Sequence, residues 1–212
     1  MARITFTGIS SGNLGDHVGD DPVLVAQNRS KLKDLLSLSK IIYMSQVHGN
    51  EVIRVNSDTN SQPECDALIT TDKSVGLAVL SADCLPILVS SQIAVAAIHA
   101  GRKGIVNGII PKTIGQMVAL GATKFEAIIG PAICGDCYEV DPTMYTELTS
   151  EYPALASKDG RPNLDLISGA LSQLQSSGVD AEFVHICTKE STDFYSYRRL
   201  QNTGRQAGVI SL

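Results

Sequence analysis

Strand-sized apolar runs recur along nearly the whole chain, and few of them are separated by a helical pattern. Residues 4–7, 41–46, 51–55, 67–70, 76–81, 85–89, 94–99, 127–129, 182–186 and 208–211 each read as strands bounded by turn-forming residues. Three helices are clear. Asp21-Pro22 opens one, proline sitting in the first turn, and its apolar positions recur to about Leu38. A second covers 104–120, with Pro111 bending it or marking its true start. The third covers 164–176 and is closed by Gly178. The stretches 56–64 and 152–163 read as loops, the latter separating two helices. A doubly wound parallel sheet requires regular strand–helix–strand alternation, which is missing here. The chain therefore reads as a single-domain α+β arrangement with mixed sheets, spanning 1–212.

Composition narrows the function classes. With 43% hydrophobic and 18% charged residues the chain is that of a folded globular protein. A net charge of −5, with no basic stripe, argues against a nucleic-acid partner. The N-terminus turns polar too soon for a signal sequence, and no apolar run approaches the ~20 residues of a membrane helix. The expectation is a cytoplasmic protein without a membrane partner. Five scattered cysteines, an odd number, then suggest free thiols, ligands or a nucleophile rather than a disulfide framework.

The chemistry gathers where strands stop. Cys84 follows one apolar run and precedes Pro86; His99 ends another and is followed by Ala100-Gly101; His48 stands before Gly49. Two imidazoles and a thiolate form a set suited to Zn²⁺ with a fourth position left open, copper being the less suitable metal. The spacing carries no metal motif, and each residue alone also reads as a polar residue at a sheet edge. Cys134-Gly135-Asp136-Cys137 is a CxxC, hence a redox pair or half a zinc knuckle. A ribbon site needs a second CxxC and the chain has none, so these read as structural or incidental thiols, behaving as small hydrophobes. His17 reads as a solvated loop residue and His185 as packed or exposed. Near the C-terminus, Tyr195, Arg198, Arg199 and Arg205 combine aromatic and guanidinium groups, and Arg102 and Lys103 follow His99 directly. In an acidic protein, cations near one constellation point to an anionic ligand.

Taken in order, NLGDHVGDD, QVHG, DALIT, ADCLPI, AAIHAGRKG, IGPAICGDCYEV and FYSYRR…TGR resemble the laccase-domain, or polyphenol oxidase, family from about Gly12 to Leu212. That family was reassigned to purine nucleoside phosphorylase and adenosine deaminase activities, and some bacterial members are called peptidoglycan editing factors. The resemblance implies an α+β fold, a single-domain sandwich of mixed β-sheets covered by helices, in which His48, Cys84 and His99 bind zinc. It also implies that Asn13, Arg102, Lys103, Tyr195, Arg198, Arg199 and Arg205 contact substrate or phosphate. The expected reaction is phosphorolysis of adenosine, inosine or methylthioadenosine, with adenosine deamination as a further activity; the partners are purine nucleosides and phosphate. Where the family writes HAGWRG this chain has His99-Ala100-Gly101-Arg102-Lys103-Gly104, so a guanidinium fork becomes a point charge. Asp83 and Glu139 are candidates for the general acid or base. Two other readings are open: a metal-free cysteine hydrolase using Cys84 with His99 as base, and a metal-binding protein without turnover.

Overall fold

The computed structural model describes residues 2–212. Among these residues, ten strands form two mixed sheets. The smaller sheet is ordered β1 (Arg3–Phe6), β10 (Gln206–Ser211), β5 (Val75–Ser81), β2 (Lys40–Ile42), with the β2–β5 pair parallel and the others antiparallel. The larger runs β3 (Val52–Arg54), β4 (Ala67–Thr70), β7 (Val95–Ala100), β6 (Leu85–Ser90), β8 (Phe125–Ile129), β9 (Val179–Phe183). Its two outermost pairs are parallel and the inner ones antiparallel.

The two sheets stack face to face, and the period of two along each strand sorts side chains between layers. On β5, Val75, Leu77 and Val79 meet Leu68, Leu88, Val95 and Ala97 of the larger sheet, while Ala78 and Leu80 face the other way. That outer face lies under α1 (Pro22–Leu35), which contributes Leu32. The outer face of the larger sheet, with Ile87, Val89, Ala96 and Ile98, packs on α3 (Ile109–Ala119) and α5 (Leu166–Ser176). The order of layers is helix, sheet, sheet, helices, the α+β sandwich expected. Its central strands are apolar on both faces because both faces are covered.

Several boundaries differ from the sequence reading. The single helix over 104–120 is two, α2 (Arg102–Val106) and α3, because Gly108 adopts φ 74° between them. Pro111 lies in the first turn of α3 and bends nothing. Strand 182–186 is displaced to Val179–Phe183, so the apolar Val184 and Ile186 lie beyond it. α4 (Pro142–Glu151), capped by Asp141, precedes the 152–163 loop and α5 follows it, so that loop does separate two helices. No helix among the described residues is long and apolar enough to cross a membrane.

Candidate metal centre and active-site cleft

Antiparallel pairing of β6 with β7 sets Leu85 opposite Ala100 and Pro86 opposite His99. Cys84, one residue before β6, therefore comes level with Gly101, just past the end of β7. Glycine at 101 is a packing requirement: an added Cβ would stand 2.9 Å from Cys84 Sγ and 3.3 Å from His48 Cδ2. His48 arrives from the loop after β2 in the left-handed region, φ 60°. Its Nε2 lies 3.9 Å from Cys84 Sγ, and its ring meets that of His99 edge-on at 4.8 Å between centroids. The donor atoms of His48, Cys84 and His99 all lie within 4.8 Å of one another and could hold a metal ion.

Asp66 organises this cluster, and sequence reasoning assigned it no role. Fully buried immediately before β4, its carboxylate accepts the backbone N–H groups of His48 (3.0 Å) and Gly49 (2.7 Å) and lies 2.8 Å from His99 Nδ1. Those bonds hold the strained His48 turn in place. They also place a proton on His99 Nδ1, so that Nε2, which faces the other two donors, is the nitrogen a metal ion would take. Burial alone would raise the Asp66 pKa; the His99 hydrogen bond and the backbone donors outweigh it and hold the carboxyl below its ordinary value. The available signal was an ionisable residue directly before the short, mostly apolar segment Ala67-Leu68-Ile69-Thr70.

The three donors polarise one another. Burial would raise the Cys84 thiol, but the imidazoles of His99 and His48 pull it down to about 6. Burial likewise opposes charge on His99, yet the Cys84 thiolate and the Asp66 carboxylate raise it to about 9. A thiolate beside an imidazole whose other nitrogen is fixed by a carboxylate suits a borderline-soft divalent cation.

The cluster forms the floor of a cleft of about 720 Å³, within the range of small-molecule sites. Arg102, Lys103, Arg198 and Arg205 line it, together with Tyr138 and Tyr197. Among the described residues, none of these four cations is in a salt bridge. Arg198 lies over the Tyr138 ring at 4.5 Å and donates to the Glu139 carbonyl. His17 also lines the cleft, where the sequence reading had only a solvated loop.

The remaining expected contacts lie elsewhere. Arg199 is exposed but folds back onto its own loop, donating to the carbonyls of Thr188 (2.7 Å), Ser191 (2.6 Å) and Phe194, and it does not line the cleft. Asn13 is buried; its Oδ1 accepts from Gly15 and Arg205, and its Nδ2 donates to Gly15 and Asp20, so its bonding capacity is filled internally. Tyr195 lines a separate depression beside Asn13 and Asp20. Asp83 holds φ 106° next to Cys84, and both its oxygens are taken, one by Thr188 Oγ1 and one by the Arg198 N–H, each at 2.7 Å. It latches the cleft wall. Glu139 lines a neighbouring depression, not the cleft floor. His185 is exposed and packs on Phe183.

Comparison with known proteins places this architecture. A model of the family described as multi-copper polyphenol oxidoreductase laccase matches residues 5–212. A Corynebacterium glutamicum protein named purine nucleoside phosphorylase is 44% identical, the match covering 96% of this chain and 87% of that protein. A purine nucleoside phosphorylase of Streptomyces coelicolor is 40% identical over 94% of this chain and 87% of its own. The crystal structure of a Neisseria meningitidis protein superposes with a TM-score of 0.84 at 34% identity, covering 94% of this chain and 86% of that one. Bacillus licheniformis YfiH gives 0.88 at 26% identity, over 100% and 92% of the two chains. The chain belongs to the multi-copper polyphenol oxidoreductase laccase family.

Proposed function

We propose that the cleft binds a purine nucleoside and phosphate and catalyses phosphorolysis, with zinc held by His48, Cys84 and His99. The observation that carries this reading is a carboxylate-oriented His–Cys–His cluster flooring a cleft ringed by cations that have no carboxylate partner. The relatives named purine nucleoside phosphorylase support the reaction class. When bound, zinc supplies a Lewis acid that polarises the ligand atom placed against it.

The chain's own residues do the rest. Arg102 and Lys103, at the start of α2, and Arg205 across the cleft provide the positive field that seats phosphate. Tyr197 and Tyr138 offer apolar faces to the purine, Tyr138 braced by Arg198. In phosphorolysis a phosphate oxygen bonds to ribose C1′ as the C1′–N9 bond breaks. The electron pair leaves with the base, which gains one proton as phosphate gives one up. Holding the two reactants in line accounts for much of such a rate enhancement. Asp66 keeps His99 in a single tautomer, so the floor of the cleft needs no rearrangement as charge moves.

Two other readings have specific support. The exposed edge of His48 leaves the cluster open to the cleft, as adenosine deamination would need. The lowered Cys84 thiol, with His99 and Asp66 behind it, also has the make-up of a nucleophilic cysteine hydrolase. Incubating the chain with adenosine or inosine, with and without phosphate, separates the three. Phosphate-dependent release of free base supports phosphorolysis, ammonia release supports deamination, and failure of both turns attention to the thiol.

A further inference from the structure

β8 and β9 lie side by side and parallel, with Phe125 opposite Val179 and Ile129 opposite Phe183. Beyond the sheet the pairing continues as a bridge between Ala132 and Cys187, reinforced by the Thr188 N–H on the Ala132 carbonyl at 3.0 Å. Two loops are thereby held abreast. One is Cys134-Gly135-Asp136-Cys137, closed by the Cys137 N–H on the Cys134 carbonyl at 3.1 Å. The other is Cys187-Thr188-Lys189-Glu190, which repeats the same spacing with a carboxylate in the last place. The second half-knuckle missing from the sequence is here, with glutamate where a cysteine was sought.

The three Sγ atoms and a Glu190 carboxylate oxygen all lie within 4.8 Å of one another. Ligands of a tetrahedral zinc at ~2.3 Å stand ~3.8 Å apart, so small side-chain adjustments close the site. The Cys134 N–H points at Cys187 Sγ at 3.4 Å, the kind of backbone bond that steadies a thiolate ligand. Cys137 Sγ lies 3.7 Å from Glu190 Oε1. None of these four residues lines the cleft.

We propose that Cys134, Cys137, Cys187 and Glu190 form a second, structural zinc site, separate from the His48–Cys84–His99 cluster. It clamps together two loops that support the cleft wall. Tyr138, which lines the cleft, directly follows Cys137, and Thr188, which directly follows Cys187, holds Asp83. A closed four-ligand set with three thiolates is a structural rather than a catalytic arrangement.

The test is metal analysis of the full chain and of two variants, all purified with reductant and supplied with Zn²⁺. The double variant His48→Ala/Cys84→Ala removes the cleft donors and should retain about one zinc per chain. On Co²⁺ substitution it should show strong thiolate-to-metal charge-transfer absorption. Adding Cys134→Ser and Cys187→Ser should abolish both signals, and a circular dichroism spectrum of each variant checks that it is folded. A folded double variant that takes up no zinc overturns the proposal. So does a disulfide among the three thiols found by mass spectrometry in the freshly purified chain. Because the cleft donors are absent from the double variant, these outcomes are independent of whether the cleft itself binds metal.

Discussion

The carboxylate of Asp66 stands 2.8 Å from His99 Nδ1 while accepting the N–H groups of the turn that presents His48. One buried side chain thus positions two of the three donors. Asp66→Asn keeps the shape but loses the charge and forces a different hydrogen-bond pattern on the turn. Loss of such a supporting carboxylate lowers metal affinity about 10–100-fold. Competition against a chelator of known affinity measures it; unchanged affinity would mean that His99 needs no orienting partner.

In metal-free protein Cys84 should behave as an acidic thiol. Its folded pKa is depressed, so the thiolate is present above about 6 and is lost as the pH falls through that value. The rate of iodoacetamide alkylation should therefore climb up to about pH 6 and level off, while the zinc-loaded protein reacts slowly. An inflection near ~8.5, that of an ordinary cysteine, would refute the proposed influence of His48 and His99.

Gly101→Ala is a steric test of the same cluster. The backbone at φ −80° accepts any residue, so the substitution acts through the new Cβ alone, 2.9 Å from Cys84 Sγ. Overpacking of this kind costs about 1–3 kcal/mol, which the small strand-end loop can partly relax. Zinc affinity should fall about tenfold, equivalent to ~1.4 kcal/mol and thus in the lower part of that range, with the far-ultraviolet dichroism unchanged. Retained zinc affinity would show that the cluster has more room than its packing implies.

The strands were legible because a strand buried on both faces is written as a continuous apolar run, as in Val75–Ser81 and Leu85–Ser90. The end of β9 was not, because Phe183-Val184-His185-Ile186 is as apolar as a strand and only the register with β8 says where pairing stops. The break between α2 and α3 depended on a positive φ at Gly108, one glycine among several in that segment. His48, Cys84 and His99 could be picked out as ligand-type residues at strand ends. Asp66 could not, since its partner His99 lies 33 residues on and is reached only through β4–β7 pairing. Cys187 met Cys134 by the same route, across the parallel β8–β9 pair. The different surroundings of Arg198, which lines the cleft, and Arg199, which donates to three carbonyls of its own loop, were not legible, because composition does not separate two adjacent guanidinium groups.

Lys103 is exposed, lines the cleft and has no carboxylate partner, which suits a phosphate contact. Lys103→Ala should raise the KM for phosphate by about threefold to tenfold, the modest size reflecting solvent screening of an exposed charge. Lys103→Arg should lower it, because a guanidinium offers two parallel hydrogen bonds. Initial rates of inosine phosphorolysis against phosphate concentration decide this, and an unchanged KM in Lys103→Ala would shift the anion site to Arg198 and Arg205.

The most direct test of the cleft is to measure base release from inosine by the wild-type chain and by Cys84→Ala, with the metal content of the same samples determined in parallel. Cys84 belongs to the donor set and lies at the cleft floor, whereas it is absent from the second thiol cluster. The account predicts phosphate-dependent release of free base together with ribose 1-phosphate by the wild type, and loss of both turnover and the cleft zinc in Cys84→Ala. Phosphate-dependent release that continues undiminished in Cys84→Ala, or no release by zinc-loaded wild type from any purine nucleoside, would contradict it.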